Sequence, residues 1–158
     1  MTVRLWSRRQ LCHALPAAAL LTTAAGRALA VQEPVDDGTW STDPIWNVLK
    51  KTRLTTDPRG MVHAQIAAEV SALVGKPMTL SGFILPIETS MSFKHFILSR
   101  YSPECPFCPA GAPNEVIEVF STVAMRPANH MVFLSGHFSV QNNVEEGLFY
   151  RMENTSIA

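Results

Sequence analysis

From Pro77 onward the apolar residues recur at every second position, and this period of two restricts the fold more than any other feature of the chain. Met78, Leu80, Gly82, Ile84 and Pro86 alternate with Thr79, Ser81, Phe83 and Leu85, which predicts a first long strand. Phe93 to Arg100 reads as a second, hairpin-linked strand. Val116 to Phe120, Met131 to Val140 and Leu148 to Met152 read as the third, fourth and fifth. Glycine inside a strand marks a bulge or tight curvature, and Gly82 and Gly136 fit that role. The expected fold is mainly β: a small, five-stranded, OB-like antiparallel barrel preceded by two short helices. An open sheet packed on a helix is the alternative.

The helical preface is read from two Asp-Pro pairs. Asp43 is placed to cap a helix whose first position is Pro44, with Ile45, Trp46 and Leu49 as its apolar stripe to about Thr52. Asp57-Pro58 repeats the signal, and Val62, Ile66, Val70, Leu73 and Val74 follow at near-helical spacing until Gly75. This predicts an amphipathic helix over residues 59–74, with His63 facing solvent or capping. Trp40 and Trp46 are expected to pack this preface against the barrel. The scattered methionines read mostly as core filler.

Ser7-Arg8-Arg9-Gln10-Leu11 forms a twin-arginine pattern, followed by a weakly apolar run to Ala25 and the small-x-small site Ala28-Leu29-Ala30. Residues 1–30 are therefore expected to be a twin-arginine-type export signal, cleaved after Ala30. Residues 31–42 read as a flexible leader and 43–158 as a single domain. The expected location is the periplasm. After the signal, nine basic residues stand against thirteen acidic ones, a poor footprint for nucleic acid. No later apolar run reaches membrane-spanning length, and Cys12 lacks the small residues that precede a lipid-modified cysteine.

Once Cys12 leaves with the signal, only Cys105 and Cys108 remain. They sit in a loop punctuated by Pro103, Pro106, Pro109, Gly111 and Pro113, which forbid a regular helix. Three readings compete. The pair binds zinc or copper, since two thiolates at this spacing hold one ion and histidine completes a tetrahedron. His95 and His137 are the candidate partners, with His130 and Glu104 behind them. Strict alternation puts His130 and His137 on opposite faces unless Gly136 makes a bulge. Alternatively, the pair is a redox dithiol, although the prolines deny the helix that stabilises a thioredoxin-type thiolate. In the third reading it is a structural disulfide. For His95, a hydrogen-bonded barrel histidine is the plain alternative. No nucleophile elbow, phosphate loop or paired-carboxylate motif is present, so the chain is not read as an enzyme.

Trp46-x-x-Leu49, Leu73-x-Gly75-Lys76-Pro77-x-x-Leu80-Ser81-Gly82-Phe83-Ile84-Leu85-Pro86-Ile87, Phe96-x-Leu98, the Cys105-Pro-Phe-Cys108 loop through Asn114, and Gly147-Leu-Phe-Tyr150-Arg151 together resemble a family of bacterial exported proteins and lipoproteins known only as a domain of unknown function. The resemblance covers about residues 44–155. It implies a link to zinc-regulated envelope transport components as partners. It also implies that a branch with Cys-x-His in place of Cys105-x-x-Cys108 exchanges thiol for imidazole, as a metal ligand would. The expected function is a periplasmic accessory that binds a transition metal, zinc ahead of copper, in envelope metal handling.

Overall fold

The computed structural model describes residues 39–104 and 111–158. Five strands close into a barrel: β3 (Pro77–Pro86), β4 (Phe93–Ser99), β5 (Val116–Met125), β6 (Val132–Asn143) and β7 (Leu148–Ile157), in the order β3-β4-β5-β7-β6. The expectation of a mainly β, OB-like barrel holds. Its all-antiparallel pairing does not, because β5 and β7 run parallel. A closed ring with an odd number of strands cannot alternate direction throughout, so at least one neighbouring pair must be parallel. Here β6 turns back to pair with β3, and β7 fills the gap between β6 and β5, running the same way as β5.

Closure depends on a change of partner along β3. Residues Pro77 to Gly82 pair with β6, and Phe83 to Pro86 pair with β4. Gly82 stands at the change, where a Cβ would lie 2.7 Å from the Ser99 carbonyl oxygen. Gly136 sits at a register shift between β6 and β7, where a Cβ would lie 2.8 Å from the Glu153 carbonyl oxygen. Both glycines therefore mark the tight curvature their sequence context implies. The interior is filled by Leu80, Ile84, Phe96, Leu98, Ile117, Val119, Leu134, Phe138, Tyr150 and Met152, all buried.

Helix α1 (Pro44–Leu49) forms as expected. Asp43 Oδ1 accepts from the Ile45 N–H at 3.0 Å, and Pro44 stands in the first turn. Its other oxygen, Oδ2, accepts from the Ser81 N–H at 3.1 Å, so the cap also ties α1 to the barrel. Trp46 is buried and donates from Nε1 to the Ser81 carbonyl at 2.8 Å; Tyr150 Oη donates to the Leu49 carbonyl at 2.9 Å. Trp40 meets the barrel less deeply: it is 37% exposed, and its ring lies against Arg100, just past β4.

The expected helix over residues 59–74 is not one helix. Strands β1 (Arg53–Thr56) and β2 (Val62–Gln65) form an antiparallel hairpin, and only Ala68–Ser71 is helical, as α2. The second Asp-Pro opens a turn instead of a helix: Asp57 Oδ1 accepts from the N–H groups of Arg59 and Met61, both at 2.9 Å, and Gly60 takes φ 83°. Val62, Ala64 and Ile66 pack against the core with a period of two, and Val70 is buried on α2. His63, on β2, lies 3.1 Å from Asp57 Oδ2. No helix among the described residues is long and apolar enough to cross a membrane.

Candidate functional site

Cys105 and Cys108 lie outside the described residues; the two chain stems that lead into and out of their loop lie within them. On the incoming side, Trp40 and Tyr101 form an isolated antiparallel bridge, and Ser102 N donates to the Thr39 carbonyl at 2.9 Å. Arg100 Nε donates to the Ser41 carbonyl at 3.2 Å. On the outgoing side, Glu115 N donates to the Ala112 carbonyl at 2.6 Å, and the Arg100 N–H to the Glu115 carbonyl at 3.1 Å. Asn114 Nδ2 reaches the carbonyls of Lys50 and Thr52 at the end of α1.

The Glu115 carboxylate joins these parts. It is buried at the start of β5, where it receives Tyr101 Oη at 3.0 Å, Lys50 Nζ at 3.0 Å and Arg100 Nη1 at 3.3 Å on Oε1. The Ala112 N–H approaches Oε2 at 3.4 Å. Burial raises the carboxyl pKa, but the Lys50 and Tyr101 hydrogen bonds and the Lys50 charge outweigh it, leaving Glu115 below the ordinary glutamate value. Burial and the neighbouring carboxylate push the Tyr101 phenol up. Arg100 is buried as well, with its guanidinium 4.8 Å from the Trp40 ring centre.

His95 belongs to a second network on the outer face of the barrel. A register shift in β4 between Phe93 and His95 brings the imidazole flat onto Phe120, with centroids 4.3 Å apart and planes at 9°. His95 Nε2 lies 2.8 Å from Glu118 Oε1. Glu118 Oε2 accepts from Gln141 at 2.7 Å and from Arg151 Nε and Nη2 at 3.0 and 2.8 Å. Burial raises the Glu118 pKa, and these bonds more than reverse it. His137 is exposed on β6 opposite Pro77 and Glu153, and His130 is exposed in the β5–β6 connection. The Glu104 N–H is held by Ser102 Oγ at 3.3 Å. His95 and His137 stand on strands that are not neighbours, and among the described residues no three His, Cys, Asp or Glu side chains gather as a metal site.

The sequence profile described as a protein of unknown function (DUF3299) matches residues 27–158, which includes the barrel, both stems and the cysteine loop. The chain belongs to the DUF3299 family. Among solved structures, a DUF3299 family protein from Pseudomonas aeruginosa PAO1 is similar, with 21% identity and a TM-score of 0.49. The alignment covers 75% of this chain and 83% of that one. No curated protein matches.

In this DUF3299 chain, sequence reasoning named the histidines but missed Arg100, Tyr101 and Glu115, and missed Glu118 with Arg151. The available signal was position. Arg100-Tyr101 and Asn114-Glu115 bracket the proline loop at strand ends, and Glu118 interrupts the apolar Ile117–Val119 run.

Proposed function

We propose that this protein is exported to the periplasm and binds a transition metal there, zinc ahead of copper, through Cys105 and Cys108, as an accessory in envelope metal handling. The observation that carries this reading is the anchoring of both stems of the cysteine loop on one buried carboxylate, Glu115. Fixing both stems shortens the span that must close when two thiolates meet one ion, and the closure cost grows with that span. Two sulfur donors at this spacing suit a soft or borderline cation.

Two thiolates leave coordination positions open. His95, His137, His130, Glu104 or a second subunit are the available donors. Recruiting His95 through Nε2 would cost its contact with Glu118. A site with open positions suits transfer better than storage, and envelope transport components are the partners it would serve. The twin-arginine pattern at Arg8 and Arg9 supports export, by a route that carries folded proteins. Because cysteine must lose its proton to bind, affinity falls as pH drops.

Metal analysis of protein purified anaerobically from the cell envelope tests the reading. About one equivalent of zinc, lost in Cys105→Ser, is expected. Less than about 0.2 equivalents of any metal, unchanged by Cys105→Ser, overturns it. A mixed disulfide trapped with a partner by Cys108→Ser would assign the pair to thiol exchange instead.

A further inference from the structure

We infer that one end of the barrel docks on the surface of a bilayer that contains anionic phospholipid. This docking does not depend on the metal-binding reading. β3, β5 and β7 run one way and β4 and β6 the other, so the ends of the first three and the starts of the last two meet at one end of the barrel. Five of the seven large hydrophobic residues left exposed among the described residues stand there. Ile87 and Met91 belong to the β3–β4 hairpin, Val123 and Ile157 lie near the ends of β5 and β7, and Phe133 lies at the start of β6. They are between 51% and 83% exposed, Met91 the most. The core does not call for them, because Phe93, Met125 and Leu134 close by in the chain already fill it. Exposed apolar side chains concentrated at one place mark an interaction surface.

Charge decides the occupant. Lys94 follows Phe93 and Arg126 follows Met125; Phe93 and Met125 are register partners, so both cations belong to the same end of the β4–β5 pair. Both are exposed, and neither side chain has an ion-pair or hydrogen-bond partner among the described residues. Lys50, Lys51, Arg100 and Arg151, in contrast, each meet a carboxylate. His130 adds an imidazole in the β5–β6 connection, and Glu88 is the acidic side chain of the hairpin. Between the two connections, Met91, Ser92, Arg126 and Pro127 line a groove of about 420 Å³. A guanidinium without a counter-ion, beside a thioether and a proline ring, suits a lipid phosphate.

Apolar tips among cations are what an interfacial membrane contact requires: the tips enter the headgroup boundary and the cations meet anionic lipid. A protein partner is matched less well. The strong anchors of such contacts are aromatic residues and arginines packed in pockets, and of the five apolar residues Phe133 alone is aromatic. A second copy docked end to end would bring Lys94 and Arg126 toward their own counterparts.

Flotation of protein purified from the cell envelope, with vesicles of phosphatidylcholine alone or with about 30% phosphatidylglycerol, provides the test. Wild type is expected to float with the anionic vesicles and to bind phosphatidylcholine alone at least about fivefold more weakly. Ile87→Ser with Met91→Ser should weaken binding to the anionic vesicles at least about tenfold, by removing two apolar tips. Arg126→Gln should weaken it about fivefold and reduce its sensitivity to salt. Val74, exposed just before the start of β3 and so at the opposite end, is the control: Val74→Ser should bind like wild type. All four positions are exposed, so Tm is expected to stay at the wild-type value in each variant. Wild type that does not float, equal binding to both kinds of vesicle, or binding unchanged in Ile87→Ser with Met91→Ser overturns the inference. So does a dimer that Met91→Ser abolishes in sedimentation velocity while vesicle binding persists, which would assign this end to a second copy.

Discussion

Glu118 and Arg151 face each other across the parallel β5–β7 pair, with both Nε and Nη2 of the guanidinium on one carboxylate oxygen at 3.0 and 2.8 Å. The carboxylate is the more buried partner; the guanidinium is about one-third exposed, at 33%. Removing the arginine therefore leaves a poorly hydrated anion, whereas removing the acid leaves a cation that water can reach. Arg151→Met is expected to cost about 3 kcal/mol and Glu118→Gln about 1.5 kcal/mol. Urea unfolding measures both. The opposite ranking would show that the burial of Glu118 is not what makes the pair matter.

Acid should weaken the fold in a defined window. Glu115 and Glu118 both titrate below the ordinary glutamate value in the folded state, since their hydrogen bonds outweigh burial. A depressed carboxyl contributes stability that is fully present above the unfolded value, near about 4.3, and is lost as pH falls through the folded value. The urea midpoint is thus expected to be level above about pH 5.5 and to fall below about 4.5. In a Glu115→Gln, Glu118→Gln double variant the fall should be shallower. An unchanged slope would assign the acid limb to other carboxylates.

Alanine at either barrel glycine should be destabilising. A Cβ at Gly82 would meet the Ser99 carbonyl at 2.7 Å and Leu98 Cγ at 2.9 Å; at Gly136 it would meet Thr155 Oγ1 at 2.6 Å. Backbone atoms are among the obstacles, so side-chain repacking alone cannot relieve them. Each substitution is expected to cost about 2 kcal/mol, as overpacking does, read as a lower denaturation midpoint. A neutral Gly82→Ala would mean that β3 can change partners without this close approach.

The two Asp-Pro pairs provide an internal comparison. Asp43 caps α1 and also receives the Ser81 N–H. Asp57 holds an exposed turn and His63, which keeps its carboxyl below the usual range. Asp43→Ala is expected to cost about 1–2 kcal/mol. Asp57→Ala should cost clearly less, because its hairpin lies at the surface. Thermal unfolding of both variants under identical conditions tests the order.

The strands were legible because a buried face imposes a period of two. Leu80, Ile84, Leu98, Ile117, Val119, Leu134 and Met152 all lie where alternation puts them. The strand ends were less legible. β5 runs on to Met125 through exposed Thr122–Ala124, and β7 to Ile157, because ladder pairing extends beyond the buried stretch. Residues 59–74 misled because Val62 and Ile66, four apart, satisfy both a helical and an alternating pattern. Turn chemistry at Asp57 and Gly60 chose between them. The polar networks were hidden for another reason. Glu118 meets His95, Gln141 and Arg151 from three other strands, and only strand order makes them neighbours. The cysteine loop was plain in the sequence, but the Glu115 clasp beneath it depends on where Lys50, Arg100 and Tyr101 converge.

The position of β7 between β5 and β6 also governs when the protein can become complete. No ring exists until residues 148–157 have left the ribosome, so nascent chains carry two strands with unfilled edges. Synthesis that stalls before Leu148 would leave those edges open to strands of other molecules, a route to aggregation that pairing with β7 closes.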